Sequence, residues 1–467
     1  MPPTNRAEVA SQSRETLAGA AFRWVVLGGL VLSLAANLPG HMTFDSVVQL
    51  FEGRMGVHLS FNPPVMSWLL GRFDHILPGT GLYVAACAAV LFASLASLAA
   101  LRPRTSWIGV ILALALLLTP QVLLYQGIVW KDVLFANLAI AGFVCLAYAA
   151  RDWTRGAARL APLAGALLFL AVAGLVRQNG LLIQALAAVA LGWTAWGRGW
   201  GRGVAWGVGG FVALVLASQA IGTAVEVKGA TQAGDLDRGL RVLQHYDIVG
   251  AVAHDPGVRL DVLEKAAPAT AAAIRSRGVK VYSPERVDTL SDDPIFSREL
   301  WQAPEGAAGA QWRSLILHQP LAYLRERIDV YRWLIAPPKI DRCLPYTIGV
   351  DGPPDKMDAL ELPHGWDPQD MAMAAYTQRF VHTPLFSHLS YAAAASAVAL
   401  VLLLRRDPAD MAVVGLMLAG LGFAASFFVM SIACDYRYLY FLDLAAITGV
   451  IYVALDPPWP RRKRARA

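Results

Sequence analysis

Ten long apolar runs constrain this chain more than anything else in it. They lie at about 20–38, 80–101, 106–126, 129–150, 160–176, 180–197, 204–226, 389–404, 411–433 and 438–455. Roughly 17 to 25 apolar residues in helical rise match the thickness of a hydrocarbon core. A backbone in lipid has no water to satisfy it, so runs of this length fold as spanning helices. The composition agrees, because a soluble chain of 467 residues would not be 56% hydrophobic and only 16% charged. The expected fold class is an all-α polytopic membrane protein with about ten transmembrane helices.

Arginine placement orients the runs, since short cytoplasmic connections are enriched in basic residues. Arg6, Arg14 and Arg23 come first; alternate connections carry Arg102 and Arg104, then Arg151, Arg155 and Arg159, then Arg198 and Arg202, then Arg405 and Arg406. The chain closes on RRKRARA. Both termini are therefore expected in the cytoplasm, as a leader at 1–19 and a basic tail at 456–467. Helices one to seven fill 20–227 and the last three fill 389–455. The long polar leader favours an uncleaved first helix over a signal peptide. The net charge of +6 then reflects topology and attraction to anionic lipid, with no nucleic acid as partner.

Two segments remain on the extracytoplasmic side, a first loop at 39–78 and a mostly helical domain at 228–388. In the first loop, FDSVVQLFEGRM and NPPVMSWLLGRFDHI read as short interfacial helices. Val65, Trp68, Leu69, Phe73 and Ile76 share one face of the second, behind Pro63 and Pro64. Helical stripes recur in the long segment at Leu236, Leu240, Leu243 and Val249, and at Leu321, Leu324, Ile328 and Tyr331. All nine histidines fall in these two segments without metal-ligand spacing and read as polar surface. Of the four cysteines only Cys343 and Cys434 face an oxidising compartment, and a bridge between them is not the expectation.

Three cations stand against these rules. Lys131, Arg177 (in RQNG, with Asn179) and Arg437 sit on the outer side, at the amino ends of helices running inward. A helix amino end is already positive, which costs a cation there roughly 0.3–1 kcal/mol. A phosphate at the lipid surface would compensate all three, since helix amino ends and Lys or Arg are its usual receptors. The plainer alternative is that each snorkels to lipid or pairs with its neighbour, Asp132 or Asp435. Asp45, just after the first run, is the candidate general base, with Glu52, His58 and Asn62 close by in sequence. Asp443 lies inside the last run, as a functional acid or as an ion-pair partner of Arg177 or Arg437. Tyr436, Tyr438, Tyr440 and Phe441 read as an interfacial aromatic belt.

TFDSVVQL followed by GVHLSFNPPVMSWLL, then WKDVLF, RQNG and DYRYLYF, resembles the GT-C superfamily of integral-membrane glycosyltransferases. The similarity is to the branch holding protein O-mannosyltransferases, lipid A aminoarabinose transferases and bacterial relatives. It implies transfer of a sugar from a polyprenyl-phosphate carrier to a glycan, lipid or protein acceptor, on the outer face of a bacterial plasma membrane. By that resemblance Asp45 and Asp132 are the catalytic acids. Lys131, Arg177, Arg437 and Tyr438 would take the donor phosphate, and Glu52, His58, Asn62, Asn179 and Asp435 would support the acceptor or the site. Several members carry Asp-Glu where this chain has Asp45-Ser46, so protein mannosylation and metal dependence do not carry over. No particular cofactor is implied, and a divalent metal ion stays open. The rivals are a polytopic transporter or flippase, and an O-antigen ligase or polymerase type of enzyme. Convergence of Asp45, Lys131, Arg177 and Arg437 on one cavity would separate the transferase from a transporter, whose sites lie near the bilayer midplane.

Overall fold

The computed structural model describes residues 17–457 apart from 61, 178, 198, 226–231, 305 and 364. Arg6, Arg14, Arg198 and the basic run after 457 lie outside the described residues. Among the described residues the fold is all-helical, with isolated bridges and no sheet. In chain order, α1 (Leu17–Asn37) leads into α2 (Phe44–Met55), α3 (Pro64–Ile76), α4 (Gly81–Ser97) and α5 (Trp107–Leu117). Next come α6 (Lys131–Arg151), α7 (Leu160–Val176), α8 (Gly180–Trp196) and α9 (Trp200–Ala224). The longer helices of the second large segment are α10 (Gln232–His254), α11 (Ala307–His318), α12 (Pro320–Ile335) and α13 (Pro368–Val381). The bundle closes with α14 (His388–Arg405), α15 (Pro408–Met430) and α16 (Tyr440–Leu455).

Eight of the described helices are long and apolar enough to cross a membrane, or nine if one bent pair is a single span. That pair is the third apolar run, which was expected to be continuous. It breaks after α5 and turns by 70° into Pro120–Gly127. Pro120 has no N–H to continue the helical ladder. The break also delivers polar side chains to the bundle core: Gln126 donates to the Tyr440 hydroxyl (2.9 Å), and Asn137 of α6 donates to Gln126 (2.7 Å). The sixth run, α8, is apolar but only 17 residues long. α6 is buried on nearly every side, and α9 faces outward along most of its length.

α2 and α3 form a hairpin whose backbones touch. A Cβ on Gly53 would lie 2.0 Å from the Ser67 carbonyl oxygen, and one on Gly71 2.2 Å from that of Gly53. The fully buried Glu52 folds the connection, accepting from Leu59 N–H (2.7 Å), Ser60 N–H (2.6 Å) and the Ser67 hydroxyl (2.7 Å).

Several expectations are corrected. Cys343 and Cys434 are joined in a disulfide across 91 residues of sequence. A backbone bond from Tyr436 N–H to Cys343 O (2.8 Å) brings the two segments together, and Cys434 N–H donates to Glu285 O (2.9 Å). Tyr436, Tyr440 and Phe441 are buried, so they make no interfacial belt; Tyr440 stacks on Tyr125 at 4.7 Å. Asp443 pairs with His388 at 2.8 Å, and not with Arg177 or Arg437. His41, His245 and His388 are buried, not polar surface.

At the end of the bundle away from α2 and α3, Arg102 contacts Asp407 (3.0 Å), Asp410 (3.3 Å) and Asp456 (2.6 Å). Arg405 joins the same knot through Asp410 at 2.6 Å. The segment around α10 to α12 has its own core of Tyr246, Val249, Ile274, Phe296 and Val330.

Candidate active site

Three extended stretches lie side by side at the other end of the bundle. His41 N–H donates to Gly127 O (2.9 Å), Val129 N–H to His41 O (2.9 Å) and Met42 N–H to Gly349 O (2.8 Å). Thr43 then opens α2, and the Ser46 hydroxyl in its first turn donates to the Val129 carbonyl. Asp45 in the first turn of α2 and Lys131 in the first turn of α6 are thus linked through this hydroxyl-to-carbonyl hydrogen bond. The short helical turn Tyr436–Leu439 brings Arg437 alongside.

Asp45, Lys131, Arg177, Asn179, Arg437 and Tyr438 line a single cleft of about 390 Å³. Its other wall is apolar, made by Leu240, Leu243, Phe427, Met430 and Ile432. Arg437 Nη2 lies 2.9 Å from Asp45 Oδ2 and 3.3 Å from Asp435 Oδ2. The Arg437 guanidinium also rests over the rings of Trp130 (5.3 Å) and Tyr438 (5.7 Å). Lys131 Nζ donates to the Asn62 side-chain oxygen. Arg177 is ion-paired with Asp132, and the rings of Phe423 (5.4 Å), Phe427 (5.5 Å) and Tyr438 (5.9 Å) surround its guanidinium.

The two carboxylates on Arg437 are pushed in opposite directions. Burial alone would raise Asp45, but the charges of Arg437 and Lys131 and hydrogen bonds from Arg437 and Asn62 hold it below its ordinary value. Burial raises Asp435; Arg437 opposes the rise and Asp45 adds to it. Separated environments for paired acids are how one site keeps one ionised while the other favours its proton.

The predicted residues therefore divide. Six meet at the cleft, Asn62 reaches it through Lys131, and Asp435 reaches it through Arg437. Asp132 does not line the cleft: it is 1% exposed and ion-paired with Arg177, which does. Glu52 and His58 belong to the α2–α3 hairpin, 3.9 Å apart, where Glu52 is committed to three donors; neither lines the cleft.

Two side chains that support the cleft escaped the sequence reading. Trp130 supports Arg437 and donates from Nε1 to Thr43 Oγ1 (3.0 Å); it stood in WKD next to the quoted Lys131. Arg327 is fully buried, with Nη1 donating to the carbonyls of Val429 (3.2 Å) and Ser431 (2.8 Å) and Nη2 2.6 Å from Asp247. It ties α12 to the end of α15, next to Met430 of the cleft wall, and in sequence it looks like one more charge on a solvated face.

Among the described residues no group of three or more His, Cys, Asp or Glu is placed to hold a metal ion. Asp45 and Asp435 face Arg437, and Asp132 faces Arg177, so these acids are matched to guanidinium groups and do not fit a divalent-metal site. No protein-family model matches the chain, and no curated protein or solved structure matches it.

Proposed function

We propose that the chain is an inverting glycosyltransferase that moves a sugar from a polyprenyl-phosphate carrier to an acceptor hydroxyl on a glycan, lipid or protein. The observation that carries this reading is the Asp45 carboxylate, held beside Arg437 and Lys131 in a cleft with one cationic and one apolar wall. A polyprenyl-phosphate sugar has the same two halves. Its phosphate matches Lys131, Arg177 and Arg437, and its first isoprene units match Leu240, Leu243, Phe427, Met430 and Ile432.

As the glycosidic bond breaks, the phosphate gains a second negative charge. The three cations then bind the transition state better than the donor, and that difference lowers the barrier. Asp45 takes the proton from the acceptor hydroxyl, which attacks the anomeric carbon from the face opposite the phosphate and inverts it. A carboxylate held low by Arg437 and Lys131 is a weak base. Donor phosphate draws on the same cations, so its arrival moves Asp45 up toward the range where a base is effective. Asp132 holds Arg177 in place, and Trp130 holds Arg437.

Two features support an extracytoplasmic cleft. A disulfide at Cys434, three residues before Arg437, fits an oxidising compartment. The Arg102 and Arg405 ends of the spans lie at the opposite end of the bundle, as for a cytoplasmic face. The cleft, at about 390 Å³, is near the small end of ligand pockets, roughly 300–1,000 Å³. That size suits a single sugar residue as the transferred group. The test is mass spectrometry of envelope glycans and lipid-linked sugars from cells lacking the protein. One missing residue together with one accumulated carrier is expected, and an unchanged carrier pool would refute the reading.

A further inference from the structure

A second cavity, of about 820 Å³, lies between the α2–α3 hairpin and the stretch from Gly349 to Asp370. The mechanism above makes no use of it. Met42 is in its wall, and Asp45 of the cleft follows three residues later. Among the described residues its charges are unbalanced: Asp74, Glu361, Asp367 and Asp370 face Arg54 and two histidines, His41 and His75. Arg54 is already taken by Asp74 through two hydrogen bonds of 2.8 and 2.7 Å.

His41 does not neutralise the remainder. Asn37 Nδ2 donates to the carbonyls of Ser33 and Leu123 (2.7 Å each), so Asn37 Oδ1 is an acceptor and the proton of His41 sits on Nε2, 3.0 Å away. His41 Nδ1 accepts instead from Gly349 N–H at 3.1 Å. Burial accordingly lowers the imidazole to about 4, against a smaller opposing pull from Asp367. Asp370 Oδ1, 3.5 Å from that nitrogen, therefore receives no proton from it. Each of Asp367 and Asp370 uses one oxygen to cap the start of α13. Both keep an acceptor oxygen for a ligand with hydroxyl or amine donors.

Trp366 supplies the complementary surface. Gly349 has φ +73°, and a Cβ there would meet Trp366 Cδ1 at 2.7 Å, so the indole leans on bare backbone. The ring nonetheless remains 56% exposed at the cavity. A flat apolar face beside open carboxylate acceptors matches a sugar ring, which has C–H groups on its face and hydroxyls at its edge.

We propose that this cavity is a glycan-binding subsite for neutral or amino sugars, with Trp366 as the stacking platform and Asp367 and Asp370 as hydroxyl acceptors. Its carboxylates exclude uronic acids and phosphorylated sugars by like-charge repulsion. As the acceptor subsite of a transferase it rests on the function proposed above; as a glycan site it does not.

The test is saturation-transfer difference NMR on the full chain in lipid nanodiscs. The probes are mannobiose, maltotriose and chitobiose, with a hyaluronan tetrasaccharide as the acidic probe. At least one neutral or amino probe should receive saturation on its ring protons, Trp366→Ala should weaken that binding about tenfold, and Trp366→Phe should restore part of it. Asp370→Asn should weaken it as well, whereas Asp45→Asn should leave it unchanged. Absence of saturation on all three probes, equal binding by Trp366→Ala, or equal binding of the acidic probe would overturn the proposal. Absence of polyprenyl-phosphate sugar turnover in the wild type would sink the transferase reading alone and leave the glycan site standing.

Discussion

Replacing Asp45 by Asn should separate chemistry from binding, in opposite directions. The amide keeps the shape and can still meet Arg437, now 2.9 Å from the carboxylate, but it takes no proton. Loss of a positioned general base costs about 10²–10⁴ in rate, or about 3–5 kcal/mol of barrier. The same change removes a negative charge next to the donor phosphate. One unit charge at about 5 Å and an effective dielectric of about 20 is worth about 3 kcal/mol. Asp45 keeps 38% of its side chain exposed, so screening leaves about 1 kcal/mol, or about fivefold tighter donor binding. The assay is release of polyprenyl phosphate from a radiolabelled polyprenyl-phosphate sugar by protein in nanodiscs, with donor affinity measured by scintillation proximity. In the wild type the acid limb of kcat/KM, which reports the free enzyme, should lie below the ordinary carboxylate range, because Arg437 and Lys131 depress Asp45. The limb of kcat should lie higher, because bound phosphate occupies those cations. Normal turnover in the Asn variant, or weaker donor binding, would refute the reasoning.

Arg437→Ala should lower both donor affinity and turnover, since the residue faces Asp45 and lines the phosphate end of the cleft; a change in turnover alone would count against its donor role. Gly53→Ala should cost about 1–3 kcal/mol by forcing α2 and α3 apart, seen as a lower melting temperature in fluorescence-detected size exclusion. Arg327→Met strands Asp247 in a buried site and frees the Val429 and Ser431 carbonyls, a loss of about 3–5 kcal/mol that a second change, Asp247→Asn, should partly recover. Cys343→Ser with Cys434→Ser opens a 91-residue closure worth about 4.6 kcal/mol and should reduce turnover more than donor affinity.

What could be read from the residues alone followed from strong, local physics. Apolar length marks a spanning helix whatever its neighbours, so all ten runs fall on helices even though one is broken and one is short. The cations at Lys131, Arg177 and Arg437 stood out because each broke two rules at once, and they meet at the cleft. What was hidden depended on distant partners. Asp132 read as a catalytic acid or as the partner of its neighbour Lys131, whereas Arg177 closes on it from the end of α7, and Asp443 found His388 across 55 residues. Arg327 gave no signal, because a buried guanidinium and a solvated one share the same letter. The Thr119–Pro120 step was the exception: its proline was visible, and the continuous run around it masked the bend.

The Arg102 knot has a bearing on how the chain is made. Its guanidinium leaves the ribosome roughly three hundred residues before Asp407 and Asp410, and later still before Asp456, at separations of 305, 308 and 354. Until those acids arrive, Arg102, five residues past the end of α4, stands without these carboxylate partners. The contact that ties the early spans to the last two is therefore completed only when the last helix is in place.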